Sequence, residues 1–206
     1  MLDAESLTIW KDVEGIMNAD PKEFAMATYI PSLSYNEVIE MAFYGAQVIH
    51  PKTIKPVENK NIPLYVKCFL QPQHGGTIIT RAHEHTLPPI IVIKKRQVLV
   101  RLSSIDFSFV GEKPLSRLYE LFAGLKMRPN LVQSTAISIL CCFDDKPEKI
   151  ESLASAAAEL FDVQLEKNLA LLTIRHYKPG MVAELTEGKT MVLEQKTEDT
   201  IQVLMR

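Results

Sequence analysis

The sequence predicts a chain in two parts: an α/β segment, then an α+β segment with a ferredoxin-like βαββαβ unit and a shortened βαββ unit behind it. Three observations carry this. Arg81 to Pro89 is polar and closes with Pro88-Pro89, which reads as a linker between parts of different character. From Val98 to Leu165, strand-like and helix-like blocks follow in the order βαββαβ. From Leu169 to Leu204 a second run of the same kind, βαββ, begins and stops early. Its sheet needs a partner along one edge, either the first unit or a second copy of the chain.

The elements follow in order. Leu7 to Trp10 is an apolar run that reads as a buried strand, and Asp12 to Lys22 has the Gly, Asn, Asp and Pro of a loop. Ser34 with Glu37 three residues on is a capping box for a helix with Val38, Ile39, Ala42, Phe43 and Ala46 on one face. Gly45 stands near its end. Pro51 can open a short helix through Ile54 and Val57, with His50 at its start. Pro63 to Phe69 alternates as a strand, Gln71 to Gly76 is a turn, and Thr77 to Thr80 is a strand. Beyond the linker, Val98–Ser103 reads as strand and Pro114–Lys126 as a helix with Leu115, Leu118, Tyr119, Phe122 and Leu125 inward. Asn130–Ser134 and Ile137–Phe143 are strands, and Pro147–Leu160 is a helix capped by Asp144-Asp145. Val163–Leu165 and Leu169–Ile174 read as two strands, the second ending beside a surface His176. Pro179–Glu187 is a short helix, and Thr190–Gln195 and Thr200–Leu204 are strands.

Composition narrows the function. Hydrophobic residues make up 47% of 206, enough for one large core or two small ones. Net charge is −2 with both signs mixed, so no basic surface recruits nucleic acid or an anionic membrane. No apolar run is long enough to span a bilayer, and the first residues lack a signal-peptide pattern. Cys68, Cys141 and Cys142 have neither disulfide-framework nor metal spacing, which favours a reducing, cytoplasmic setting. Cys141 and Cys142 are adjacent in a strand and must face opposite ways. Cys68 has no evident base beside it and reads as core. His83-Glu84-His85 invites a metal reading, but neighbours in a linker do not converge on one ion.

Residues 1–80 carry a resemblance. The runs are Ile9-Trp10-Lys11-Asp12-Val13, Gly15-Ile16-Met17 with Asp20-Pro21-Lys22, Leu33-Ser34-Tyr35-Asn36-Glu37, Tyr44-Gly45-Ala46-Gln47-Val48-Ile49-His50-Pro51, Asn61-Ile62-Pro63-Leu64 and Gly76-Thr77-Ile78-Ile79. In this order and spacing they resemble the aspartokinases, from the end of the amino-acid-kinase domain into the ACT regulatory region. The resemblance implies a domain division of 1–80 for the kinase part, 81–95 for the linker, 96–168 for a first ACT domain and 169–206 for a second, shortened one. It implies a parent enzyme, aspartate kinase, that moves the ATP γ-phosphoryl to the side-chain carboxylate of L-aspartate with Mg²⁺. That is the first step towards lysine, threonine and methionine.

By the same resemblance Lys11, Asp12, Met17, Lys22, Gln47 and Val48 lie by the nucleotide. A loop after a strand end in an open α/β sheet is where such ligands sit. Met17, Lys22 and Gln47 stand where the family has Tyr, Arg and Lys. The family's Lys-Phe-Gly-Gly-Thr phosphate loop and its catalytic Asp segment are absent from these residues, so no catalytic residue is expected here and the chain alone is expected to be inactive. No tightly bound cofactor is expected.

The ACT resemblance implies a homodimer that senses lysine or threonine. The implied effector residues are Asp106, Phe107, Ser108, Gly111, Pro114, Leu115, Asn130, Gln133, Ser134 and Thr135. A helix N-terminus for the carboxylate and side-chain acceptors for the ammonium suit a zwitterion. Asn130 stands where lysine-sensitive members often have Asp. The other reading of the chain is a free-standing regulatory subunit or amino-acid-binding module without catalysis.

Overall fold

The computed structural model describes residues 4–47, 49–82, 86–106 and 108–206. His83, Glu84 and His85, the metal reading, lie outside the described residues, as do Val48 and Phe107. The chain clusters into two compact units. The first comprises residues 1–93, 172–187 and 194–203; the second comprises 94–171, 188–193 and 204–206.

In the first unit a four-stranded sheet has the order β1-β5-β6-β4, with β1 Leu7–Lys11, β4 Ser32–Ser34, β5 Leu64–Cys68 and β6 Thr77–Thr80. β1 runs parallel to β5, β5 antiparallel to β6, and β4 parallel to β6. A small ribbon pairs β2 (Ile16–Met17) with β3 (Tyr29–Ile30). Two helices cover the sheet, α1 (Tyr35–Tyr44) and α2 (Pro51–Asn59). Leu33, Val38, Met41, Ile54, Leu64, Val66 and Ile79 are buried together as the core.

Several expectations change here. β1 is an edge strand, not a buried one: Leu7 and Trp10 are 36% and 50% exposed, and among the described residues only β5 flanks it. The inward face of α1 is Tyr35, Val38 and Met41, while Phe43 faces out. Of the expected face, Val38 is in the core with Ile39 and Ala46 packed against it, and Tyr35 and Met41 complete it. Ser34 Oγ accepts from Glu37 N at 3.1 Å, so the cap forms, but the Glu37 carboxylate goes elsewhere. Gly45 ends α1 in the left-handed region at φ 110°. His50 is exposed and caps α2, its Nδ1 accepting from Lys52 N at 3.2 Å.

The loop after β1 is pinned to the sheet. Thr77 Oγ1 accepts from Ile16 N at 2.8 Å and donates to Ile30 O at 2.6 Å. A Cβ on Gly15 would stand 2.6 Å from that oxygen, so only glycine lets the loop close on it. Asn18 holds the loop's far side, with Oδ1 accepting from Thr28 N and Nδ2 donating to Pro89 O.

The second set of elements is β7 (Ile90–Ser104), α3 (Glu112–Gly124), β8 (Leu131–Ser134), β9 (Ser138–Asp144), α4 (Pro147–Ala157) and β10 (Phe161–Arg175). This is the βαββαβ order expected. α5 (Met181–Leu185), β11 (Met191–Lys196) and β12 (Thr200–Met205) follow. One six-stranded sheet has the order β11-β12-β10-β7-β9-β8. β7, β9 and β8 are antiparallel neighbours, Val100 opposite Cys141 and Val132 opposite Cys141. Leu118, Phe122, Phe143, Ile150 and Phe161 form the core on one face, and Cys141 joins it. Leu99, Leu131, Leu140, Leu169 and Leu204 form a second cluster, and Cys142 joins that one. The adjacent cysteines do face opposite ways.

β7 starts at Ile90, so residues 90–95 of the expected linker are strand. β10 is one strand where two were expected, and it runs through residues 168 and 169 without a break. Asn168 supplies a local bend at φ 60° in place of a loop. α4 is capped by Lys146 with no side-chain bond, not by Asp144-Asp145. No described helix is long and apolar enough to cross a membrane, and the described residues hold no cluster of metal-ligating side chains.

Candidate functional site

In the first unit β1 delivers Lys11 to the sheet's end, and α1 with its Gly45 cap delivers Ala46 and Gln47. These meet: Lys11 Nζ donates to the Gln47 carbonyl at 3.2 Å. Ala42, Gly45, Ala46, Gln47, Ile49, His50 and Pro51 line a shallow depression of about 390 Å³. Small side chains at 42, 45 and 46 leave it open, and a lysine ammonium stands at the carbonyl of one lining residue. Asp12 and Lys22 are exposed on the loop, with Lys22 N bonded to Asp20 Oδ1 at 2.9 Å. Met17 pairs with Tyr29 in the small ribbon. Lys11 and Gln47 are thus brought together, while Asp12, Met17 and Lys22 stay on the adjoining loop.

The expected effector residues divide between the two ends of β8. At one end Ser104 and Val110 meet the β8–β9 hairpin: Ser104 N donates to Ile137 O, and Val110 N to Ala136 O. Asp106 Oδ1 accepts from Ser104 Oγ at 2.8 Å and Ser108 N at 3.0 Å. Those bonds, the Ser108 side chain and backbone first, bring its carboxyl down to about 2. Gly111 is the N-cap residue of α3, and Pro114 and Leu115 lie in its first turn, Leu115 against the core. Ser134 ends β8, and Thr135 Oγ1 lies 2.8 Å from Ser138 Oγ, closing the hairpin.

Asn130 stands at the other end, roughly 16 Å along the strand from Thr135 at about 3.3 Å per residue. Its amide is already engaged. Nδ2 donates to Gln97 Oε1 at 2.7 Å and Asp144 Oδ1 at 2.9 Å, and Oδ1 accepts from Lys94 Nζ at 2.8 Å. Lys94 Nζ also pairs with Asp144 Oδ1 at 2.9 Å. Burial would raise the Asp144 carboxyl, but Gln97, Lys94 and Asn130 hold it below its ordinary value. Gln133 differs: its Oε1 is buried with no hydrogen-bond partner among the described residues. An unmet acceptor there is a group that a ligand donor could satisfy.

Sequence reasoning missed Lys94 and Gln97 and took Asp144 for a helix cap. Gln97 was visible as a polar residue at the head of an apolar strand; its partner on β9 was not. The Glu37–Arg175 pair was missed as well. Arg175 Nε and Nη2 donate to Glu37 Oε1 and Oε2 at 2.6 and 2.8 Å, both side chains being buried. His176, expected on the surface, has its Nε2 buried 3.1 Å from Glu37 Oε2.

Comparison with known proteins places this architecture. Residues 1–68 match the amino acid kinase family, which defines the class of the first part. Over 197 residues, 94% of the chain, the sequence is 31% identical to aspartokinase 3, chloroplastic, of Arabidopsis thaliana, spanning 35% of that protein. It is 27% identical over 183 residues to the lysine-sensitive aspartokinase 3 of Escherichia coli, covering 84% of this chain and 40% of that one. The crystal structure of E. coli aspartokinase III in complex with aspartate and ADP (R-state) superposes over 98% of this chain and 49% of its own, with a TM-score of 0.81 at 24% identity. The chain is therefore an aspartokinase relative that corresponds to the C-terminal portion of those enzymes. It spans about a third to a half of the length of the relatives it matches.

Proposed function

We propose that this chain is the portion of an aspartate kinase that carries part of the nucleotide site and the amino-acid-sensing module. The parent activity is transfer of the ATP γ-phosphoryl to the L-aspartate side-chain carboxylate. The observation that carries the reading is the aspartokinase similarity along 94% of the chain, kinase and sensing parts together.

Within it, Lys11 and Gln47 contribute to the nucleotide site, with Asp12, Met17, Val48 and Lys22 along the same loop and segment. Lys11 offers a compact cation to a phosphate, and Lys22 a second one. Mg²⁺ would accompany ATP as part of the substrate; no described cluster here is built to hold it. Catalysis in phosphoryl transfer is positioning plus charge neutralisation, and these residues supply only a share of each. We assign the chain by itself no kinase activity.

The sensing module takes a zwitterionic amino acid at the end of β8 marked by Ser134 and Thr135, near Asp106, Ser108 and the Gly111 start of α3, with Gln133 on the opposite sheet face. The unmet Gln133 oxygen is offered from the sheet face away from α3, and the Asn130 amide at the other end is already engaged. Lysine is the first candidate, since an E. coli relative is lysine-sensitive; threonine is the second. Effector binding would favour one homodimer arrangement and shift the kinase part's population. The three cysteines are free, in keeping with a cytoplasmic setting. The proposed division is 1–80 for the kinase part, 81–95 for the linker, whose residues 90–95 already belong to β7, 96–168 for the first ACT domain and 169–206 for the shortened second one.

A thermal-melt titration with lysine, threonine and ADP–Mg²⁺ tests this. A ligand that binds only the folded chain raises the melting temperature. A rise with ADP–Mg²⁺ and with one amino acid is the expected result. No rise with any of them removes both site assignments.

A further inference from the structure

Helix α1 carries a second, polar face beside its core face. Glu37, Glu40 and Tyr44, at spacings of three and four, share one side of the helix. Arg175, the last residue of β10, meets that face. Its fork engages both Glu37 oxygens, Nη1 donates to Thr200 Oγ1 at 2.9 Å, and Nη2 lies 3.4 Å from Asp199 Oδ2. Glu40 Oε2 lies 3.7 Å from Nη1. His176 Nε2 lies 3.1 Å from Glu37 Oε2. Arg175 and Glu37 are 10% and 7% exposed, and they lie 138 residues apart in sequence. A bidentate guanidinium–carboxylate pair fixes orientation as well as distance.

The two ends of this pair lead to different places. α1 runs from its Ser34 cap to Gly45, and beyond it Ala46, Gln47, Ile49, His50 and Pro51 line the depression. β10 supplies residues 161–171 to the second compact unit and 172–175 to the first. We propose that Arg175 is a positioning residue: by gripping Glu37 it sets the placement of α1 and hence of Gly45, Ala46 and Gln47 behind it, so that residues 172–175 of β10 and the nucleotide depression, all within the first unit, move as one. The consequence for nucleotide rests on the site reading above; the grip itself rests on the contacts alone.

The experiment uses the 206-residue chain and its R175M, R175K and E37Q variants. Hydrogen–deuterium exchange follows residues 35–47, and calorimetry measures ADP–Mg²⁺ affinity. In R175M and E37Q, exchange across α1 is expected to rise by about tenfold or more, with the β7–β9 ladder unchanged. ADP–Mg²⁺ affinity falls by about tenfold with it. R175K keeps the charge without the fork and gives an intermediate rise; it also carries the measurement if R175M does not fold. Unchanged α1 exchange in a folded R175M or R175K overturns the proposal. If the unaltered chain binds no ADP–Mg²⁺, the nucleotide reading falls, and α1 exchange alone still decides the grip.

Discussion

Charges taken out of water must find partners, and Glu37 shows the balance at a single residue. Burial alone would raise its carboxyl, but the hydrogen bonds and charge of Arg175, with His176, lower it below the ordinary value. Asp144 and Asp199 are lowered against burial in the same way, by their own hydrogen bonds and cations. A carboxyl whose folded pKa lies below its unfolded one contributes all its stabilisation above the unfolded value. It loses that stabilisation as pH falls through the folded value. The melting temperature should thus hold from neutral pH to the ordinary carboxylate range and fall below it; a flat profile to pH 3 would contradict this. Removing one partner of a buried pair strands the other, at a cost of roughly 3–5 kcal/mol. E37A should therefore destabilise by about that much in urea unfolding, while E37L/R175M should cost much less than the sum of its single changes. Cys141 and Cys142 are the opposite case. Burial pushes both thiols up to about 12, so neither is a nucleophile at neutral pH. A thiol reagent at pH 8 should label them only on unfolding. Their stabilising contribution persists below the unfolded thiol value and fades as pH rises toward 12.

At the scale of elements, what local pattern controls was legible and what partners control was not. The Ser34 cap, the Pro51 helix start, the alternation in β5 and the opposite facing of Cys141 and Cys142 follow from spacing. The placement of β1 at a sheet edge does not, because its neighbour β5 lies more than fifty residues on. Nor does the continuity of β10, since Asn168 keeps the strand intact through a left-handed residue that composition reads as a break. The site divides likewise. Lys11 and Gln47 came from motif resemblance and the fold joins them, whereas the Lys94, Gln97, Asn130 and Asp144 network needs β7, β8 and β9 side by side. That network makes Asn130 a structural residue. N130D would replace two donors by an acceptor facing Gln97 Oε1 and Asp144, with an expected loss of about 1–3 kcal/mol. An N130D chain as stable as the original would show that the network relaxes freely. The β5–β6 turn makes a stricter demand. Gly76 sits at φ 68°, and a Cβ there would stand 2.2 Å from the Val66 carbonyl oxygen. G76A combines that clash with a left-handed backbone, so a loss of about 2 kcal/mol or more is expected in denaturant unfolding.

Over the whole molecule, seven of the thirteen large apolar residues exposed among those described lie in the first part, and six, Ile105 and Phe109 among them, lie beyond it. Trp10, Met26, Phe69 and Leu70 are 50%, 89%, 54% and 69% exposed, and with Leu7, Tyr29 and Phe43 they all lie within residues 1–80. β1 adds an unpaired strand edge to them, being flanked only by β5 among the described residues. A strand edge bearing apolar side chains is a template for another chain, and natural sheets that keep such edges free guard them with charge or proline. β1 has a single lysine, at its end, whose ammonium turns to the Gln47 carbonyl. The chain should accordingly self-associate through this edge. Sedimentation should show mass rising with concentration, and Trp10, the single tryptophan, should report burial by a fluorescence blue shift over the same range. Placing charge on the edge with T8K/W10K should return the chain toward a single species without weakening the core, since neither residue is buried. Association that survives T8K/W10K unchanged would move the contact away from β1, to the sensing half and the homodimer proposed there; a monodisperse monomer at every concentration would exclude both.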